Sequence, residues 1–68
     1  MEAGVSYALS ALRIAIIDIV ASVKASGRKV HPHRLAAVIA PDHPKLSHKR
    51  IADELRLEAA RQRVPIAE

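Results

Sequence analysis

Apolar residues in the first third of the chain recur at alternating intervals of four and three positions. Six of them form this series: Val5, Leu9, Leu12, Ile16, Ile19 and Val23. At about 100° per residue these positions lie on one stripe of a helix, and their spacing is that of helices that pack lengthwise. The pattern predicts a long helix over residues 4–26, which ends at Gly27 in the left-handed conformation.

A second group of apolar residues lies beside this stripe on the same predicted helix. It comprises Ile14, Ile17, Val20 and Ala21. Two apolar faces on one helix require cover from two directions, and chains of this length often obtain it from a partner. We therefore expect a homodimer in which the six stripe residues form the interface. A compact monomeric bundle is the alternative.

Two shorter helices are predicted in the rest of the chain. Pro32 suits the first turn of a helix over residues 32–40, because its missing N–H costs nothing there. Ser47 is a suitable N-cap for a third helix over residues 47–63, which Pro65 prevents from continuing. The apolar positions of these helices are Leu35, Val38, Ile39, Ile51, Leu55 and Ala59.

The composition agrees with a helical core and excludes several kinds of site. Half of the 68 residues are hydrophobic, but there is one Tyr and no Phe or Trp, so the core must consist of Leu, Ile, Val and Ala. The absence of cysteine excludes disulfides, zinc sites with thiolate ligands and cysteine nucleophiles. We expect a single all-α domain over residues 1–68.

The N-terminal region carries no basic start followed by a long apolar run, so we expect no signal peptide. Its densest apolar stretch, residues 14–23, contains Asp18. This stretch is shorter than a helix that spans a bilayer. The expected location is therefore the cytoplasm, without a membrane partner.

The positive charge is concentrated in the middle third of the chain. Residues 28–50 contain six Lys and Arg against one Asp, a balance of +5, whereas residues 1–27 sum to zero and residues 51–68 to −1. A patch of this kind favours a polyanion or an acidic partner over a neutral one.

The same region holds all four histidines: His31, His33, His43 and His48. A helical metal pair needs ligands three or four residues apart on one face, whereas the first two histidines flank Pro32. We interpret the histidines as surface or half-covered side chains, with His48 partly covered beside Ile51 and Leu55. We expect no metal and no other cofactor.

Enzymatic activity is not expected. The set Ser47, His48 and Asp42 contains a hydroxyl, an imidazole and a carboxylate, but adjacency in sequence does not supply the geometry of a catalytic triad. The chain is also short for a pocket that encloses a substrate. Both glycines stand alone, so no glycine-rich phosphate loop is present.

The segment KLSHKRIADELR resembles the part of helix-turn-helix proteins in which a capped helix begins after a turn. With the long first helix and the short helix PHRLAAVIA, it is similar to a three-helix core of the winged-helix type, over residues 5–63. The predicted turn of six residues is longer than the three or four of the simple motif, and nothing after Val64 is long enough for a wing. The segment SGRKV after a long helix is similar instead to the histone fold, over residues 5–40.

The resemblance to helix-turn-helix proteins implies a dimer that binds double-stranded DNA as a transcriptional repressor or accessory factor. The third helix would supply the central contacts, and basic residues elsewhere would contact the DNA backbone. The expected contact residues are Arg28, Lys29, Arg34, Lys45, Lys49, Arg50, Arg56 and Arg63. Single-stranded nucleic acid is disfavoured because Tyr7 is the sole aromatic residue on which a base could stack.

The charges of the third helix also allow a purely structural explanation. Three carboxylates on this helix, Asp53, Glu54 and Glu58, lie three or four residues from its basic side chains. Such residues can pair as on an ordinary solvated helix face. The alternative function is therefore a structural or interaction module whose basic patch binds an acidic protein partner.

Overall fold

The structure, a computed structural model, describes residues 3–67 and, within them, the side chains from residue 6 onward. It contains three α-helices: α1 over Ala3–Ala25, α2 over Pro32–Ile39 and α3 over His48–Gln62. A short 3-10 turn, Ala40–Asp42, follows α2. The predicted all-α fold is confirmed, and each described helix begins and ends within one residue of its predicted bounds.

Local backbone signals explain where these helices begin and end. Gly27 has φ +71° after α1, and its N–H donates to the carbonyl of Lys24 at 3.0 Å. Pro32 occupies the first turn of α2. The Ser47 hydroxyl accepts a hydrogen bond from the Arg50 N–H at 3.0 Å and caps α3. The predicted roles of the glycine, the proline and the serine are all confirmed.

The core is a cluster of aliphatic side chains around α3, which packs against both α1 and α2. Its buried members are Leu12, Ile16, Val20, Val30, Ala36, Ile51, Ala52, Leu55, Ala59 and Val64. The described part of the chain measures 40 × 18 × 16 Å, since α1 is much longer than its neighbours.

A single parallel β-bridge joins Val30, between α1 and α2, to Ile66, after α3. The Val30 N–H donates to the carbonyl of Pro65, and the Ala67 N–H donates to the carbonyl of Val30, both at 2.8 Å. The bridge holds the connection between α1 and α2 against the chain that leaves α3.

The predicted dimer interface requires a correction. Leu12 and Ile16 are 0% and 1% exposed within a single chain, because α3 covers this stripe of α1. They are therefore core residues and are not available to a second molecule. Leu9, Ile19 and Val23 are partly buried against the same core, and the side chain of Val5 lies outside the described residues. The homodimer itself stays a prediction.

The second apolar group of α1 is divided by the same packing. Val20 is buried in the core, whereas Ile14 and Ile17 face outward and remain exposed. α1 thus buries one apolar face inside the chain and presents another to its surroundings.

Candidate nucleic-acid interface

The connection from α1 to α2 gathers four of the basic and histidine side chains around one shallow hollow. We call this set, Arg28, Lys29, His31 and Arg34, the junction cluster. Together with Val23 and Leu35 these residues line a hollow of about 210 Å³. They converge because Gly27 ends α1 in the left-handed conformation, and only a few residues later Pro32 begins α2.

The three cations of the junction cluster have no acidic partner among the residues that the structure describes. None of the ion pairs within residues 3–67 involves Arg28, Lys29 or Arg34. The N-cap of α2, His31, makes no side-chain hydrogen bond to the first turn of that helix. Cations beside an uncapped helix N-terminus form a surface that suits a phosphate.

The basic residues of α3 are in the opposite situation, since carboxylates of the same helix pair with them. Asp53 contacts Lys49 Nζ at 3.0 Å and Arg56 Nη1 at 2.8 Å. Arg50 lies 3.9 Å from Glu54. The hydrogen bond from Lys49, with the charges of Lys49 and Arg56, outweighs the effect of burial and lowers the pKa of Asp53. The predicted pairing of charges at three- and four-residue spacing on α3 is thus confirmed.

His33 links the start of α2 to α3. Its Nε2 lies 3.0 Å from Nη2 of Arg56. Because a guanidinium group can only donate, Arg56 is the donor in this contact. The His33 ring also stacks on His48, with ring centroids 6.0 Å apart and an interplanar angle of 13°. His48 is exposed and not partly covered as expected.

The histidines do not converge on one point. His31 belongs to the junction cluster, whereas His43 lies beside Tyr7 and Lys45 in a separate hollow near the N-terminal half of α1. Among residues 3–67, no group of three or more His, Asp or Glu side chains is arranged to hold a metal ion.

The eight predicted nucleic-acid contacts lie in several parts of the structure. Arg28, Lys29 and Arg34 lie together, and Arg56 approaches them through His33. Lys45 lies in the hollow beside Tyr7. The remaining three, Lys49, Arg50 and Arg63, lie along or just after α3.

A second feature, which the sequence analysis did not find, is an open groove of about 480 Å³ between α1 and α3. Arg13 and Glu54 line one part of this α1–α3 groove, and Glu58 and Arg61 line another. The Arg13 guanidinium donates to both oxygens of Glu54, and Arg61 Nε donates to Glu58 at 3.1 Å. Gln62 of α3 makes a further contact with α1 by donating a hydrogen bond to the carbonyl of Ile17 at 3.1 Å.

The length and apolar composition of α1 are relevant to the location of the protein in the cell. By length and composition alone, the stretch Ser6–Ala25 is long and apolar enough to cross a membrane. It is therefore longer than the stretch of residues 14–23 considered from the sequence. The core helix of a soluble protein and a signal sequence meet the same criterion, and the cytoplasmic location stays a prediction.

Comparison with known proteins identifies no relative: no family model, curated protein or solved structure matches this chain. In the structure, eight residues, Ala40–Ser47, separate α2 from α3, compared with three or four in the simple helix-turn-helix motif. The resemblance to helix-turn-helix proteins stays a prediction, and a functional proposal depends on the site itself.

Proposed function

We propose that the protein binds the phosphate backbone of double-stranded DNA through the junction cluster. The observation that carries this proposal is the convergence of Arg28, Lys29 and Arg34 around one hollow, with no acidic partner among residues 3–67. Arginine guanidinium groups bind phosphate oxygens in a bidentate manner. The adjacent N-terminus of α2 adds N–H groups that can donate to the same anion.

The α3 helix has a secondary part in this proposal. Lys49 and Arg56 both contact the carboxylate of Asp53, so two cations lie side by side along this strip of α3. Arg56 also reaches His33 at the start of α2. This strip can extend the phosphate-binding surface from the junction cluster along α3.

Contacts to phosphate and contacts to bases imply different roles for a DNA-binding protein. Contacts to phosphate position a protein on DNA but carry no sequence information. A recognition helix presents side chains that are free to meet base edges, whereas the cations of α3 are held by its own carboxylates. The geometry therefore supports an accessory DNA-binding factor better than a sequence-specific repressor.

Duplex DNA is favoured over single strands because the chain has few aromatic residues on which bases could stack. Tyr7 is the only aromatic residue, and it lines the hollow near Lys45 and not the junction cluster. Proteins that bind single strands without sequence preference use several aromatic side chains on which successive bases stack.

The test is a titration of labelled mixed-sequence duplex at several salt concentrations. We expect the triple variant Arg28→Gln, Lys29→Gln, Arg34→Gln to weaken binding at least about tenfold. It should also reduce the slope of log affinity against log salt by about 2.7, since each phosphate contact contributes roughly 0.9. The matched control is Lys45→Gln, Lys49→Gln, Arg50→Gln, which removes the same charge elsewhere and should have the smaller effect on affinity.

Three results would contradict this proposal. No binding of wild-type protein to duplex at low salt would exclude DNA as the ligand. A larger loss in the control than in the junction variant would place the interface on α3, as the helix-turn-helix resemblance implies. Polyglutamate serves as a competitor: displacement of DNA by equal charge concentrations of polyglutamate would indicate an acidic protein partner, because that polymer lacks phosphate.

A further inference from the structure

The outer surface of α1 and α3 carries an apolar patch beside the α1–α3 groove. Its members, which we call the outer patch, are Ile14, Ile17 and Leu57, with 69%, 41% and 61% of their surface exposed. Ile17 and Leu57 both line the groove, from α1 and from α3, and Ile14 lies one turn from Ile17 on the same helix. Large aliphatic side chains that cluster on a surface mark an interaction site more often than single ones do.

Charged pairs border the outer patch on two sides. Arg13 and Glu54 lie at one part of the groove and Glu58 and Arg61 at another, so two positive and two negative groups give this border no net charge. Each carboxylate is buried against its own chain and already bonded to an arginine. A border of this type keeps its hydrogen bonds when the apolar centre is covered, as the polar rim of a protein interface does.

We infer that the outer patch is the contact surface for a second copy of this chain. In a twofold symmetric contact, each residue of one molecule meets the symmetry-related position of the other. An axis through Ile17 and Leu57 would set the α3 helices of the two molecules antiparallel. Since Glu54 and Arg61 lie on either side of Leu57 along α3, Glu54 of one molecule then lies opposite Arg61 of the other, and this part of the border is complementary to itself.

The same charges disfavour the other occupants of such a patch. Amphipathic helices that lie on membranes carry Lys and Arg beside their apolar face, because anionic headgroups attract cations. Here Glu54 and Glu58 border the patch, and Asp18 is also exposed on α1. A bilayer-spanning position would further require α1 to leave its core contacts with α3. Nucleic acid is disfavoured because the border is neutral.

The inferred interface involves other residues than the interface predicted from the sequence. The predicted interface used the stripe of Leu12 and Ile16, which α3 covers. The inferred interface uses the apolar residues beside that stripe on α1 and adds Leu57 from α3. It goes beyond the proposed DNA binding and does not depend on it, although a dimer would present two junction clusters on one particle.

The experiment is sedimentation equilibrium without DNA, from about 10 µM to about 1 mM, where dimers of modest affinity assemble. Wild-type protein is expected to reach twice the 7.4 kDa of one chain. The double variant Ile17→Lys, Leu57→Lys should weaken association at least about tenfold. Its helical content should not change, because both side chains are exposed in the single chain.

The matched control is Val38→Lys, which places a charge at an aliphatic side chain of α2 that is 71% exposed. This variant should associate like wild-type protein. A wild-type mass of one chain at the highest concentration overturns the inference, as does undiminished association of the double variant. Co-sedimentation of single chains with phosphatidylserine-containing vesicles, lost in the double variant, would also overturn it and assign the patch to lipid.

Discussion

Arg13 of α1 donates two hydrogen bonds to the carboxylate of Glu54 on α3, from Nε to Oε1 at 2.9 Å and from Nη2 to Oε2 at 3.3 Å. The Glu54 side chain is only 9% exposed. The hydrogen bond to Glu54, with the charge of that carboxylate, raises the pKa of Arg13. A bidentate pair of this kind fixes both distance and orientation, so it sets the relative position of the two longest helices.

Replacement of Arg13 by Met should lower the melting temperature. The carboxylate of Glu54 would remain against the core with only Arg50 nearby, at 3.9 Å, and a buried charge that loses its partner is destabilising. The double variant Arg13→Met, Glu54→Met should recover part of the loss, because it removes the unpaired charge as well. Thermal unfolding followed by circular dichroism measures both effects.

The control for this change is Lys45→Met, which removes a positive charge that has no ion pair among residues 3–67. It should leave the melting temperature nearly unchanged. An Arg13→Met variant as stable as this control would mean that the pair contributes orientation but no net stability.

Ile14 and Ile16 should respond very differently to truncation although they are close in sequence. Ile16 is fully buried, and Ile16→Ala is expected to reduce the free energy of unfolding by about 2–5 kcal/mol through lost burial and the cavity left behind. Ile14 is exposed in the single chain, so Ile14→Ala should change the value by less than about 0.5 kcal/mol. Urea denaturation at low protein concentration measures the difference, and equal losses would show that α1 packs through another face.

Acid should destabilise the protein partly through Glu58. Burial raises the pKa of Glu58, but hydrogen bonds from Gln62 and Arg61 and the charge of Arg61 outweigh burial and leave it below its ordinary value of 4.5. The folded state thus binds this proton less tightly than the unfolded chain does. The stabilisation is therefore complete above pH 4.5 and is lost as the pH falls through the lower folded value.

Melting temperatures recorded from neutral pH to below pH 4.5 test whether protonation of Glu58 destabilises the folded state. Glu58→Gln should flatten the acid limb of the curve, since the amide cannot titrate. Asp42→Asn alters an exposed carboxylate without an ion pair among residues 3–67 and should leave the slope as in wild-type protein. The same slope in both variants would argue against a role for Glu58.

Arg63 ends α3 in the left-handed conformation, with φ 58°. Its N–H and that of Val64 donate to carbonyls of the last turn, as they do around a helix-ending glycine. The left-handed conformation costs a residue with a side chain roughly 1–2 kcal/mol, and glycine avoids this cost. Glycine also makes the unfolded chain more flexible, which offsets part of the gain. Arg63→Gly is therefore expected to stabilise the protein by up to about 1 kcal/mol. Arg63→Ala removes the same charge but keeps the strain, so it should not stabilise. Equal denaturation midpoints for the two variants would contradict this explanation.

For the candidate site, the sequence predicted an excess of basic residues but not how these residues pair. The surplus of Lys and Arg in residues 28–50 predicted a cationic surface but not which cations would remain without carboxylate partners. Lys49 and Arg56 have a carboxylate partner in Asp53, because helical spacing brings these three side chains together. No carboxylate lies at such spacing from Arg28 and Lys29, which belong to the turn after α1.

The sequence by itself determined the number of helices and their bounds, because local backbone properties set them: the left-handed conformation at Gly27, the fixed φ of Pro32 and the hydroxyl cap of Ser47. Only the tertiary structure decided which apolar face of α1 is covered and which residue pairs with Glu54. Periodicity shows which side chains share a face, but two apolar faces on one helix are equivalent until another element packs against one of them. That choice depends on contacts between residues far apart in the chain, which no local pattern records.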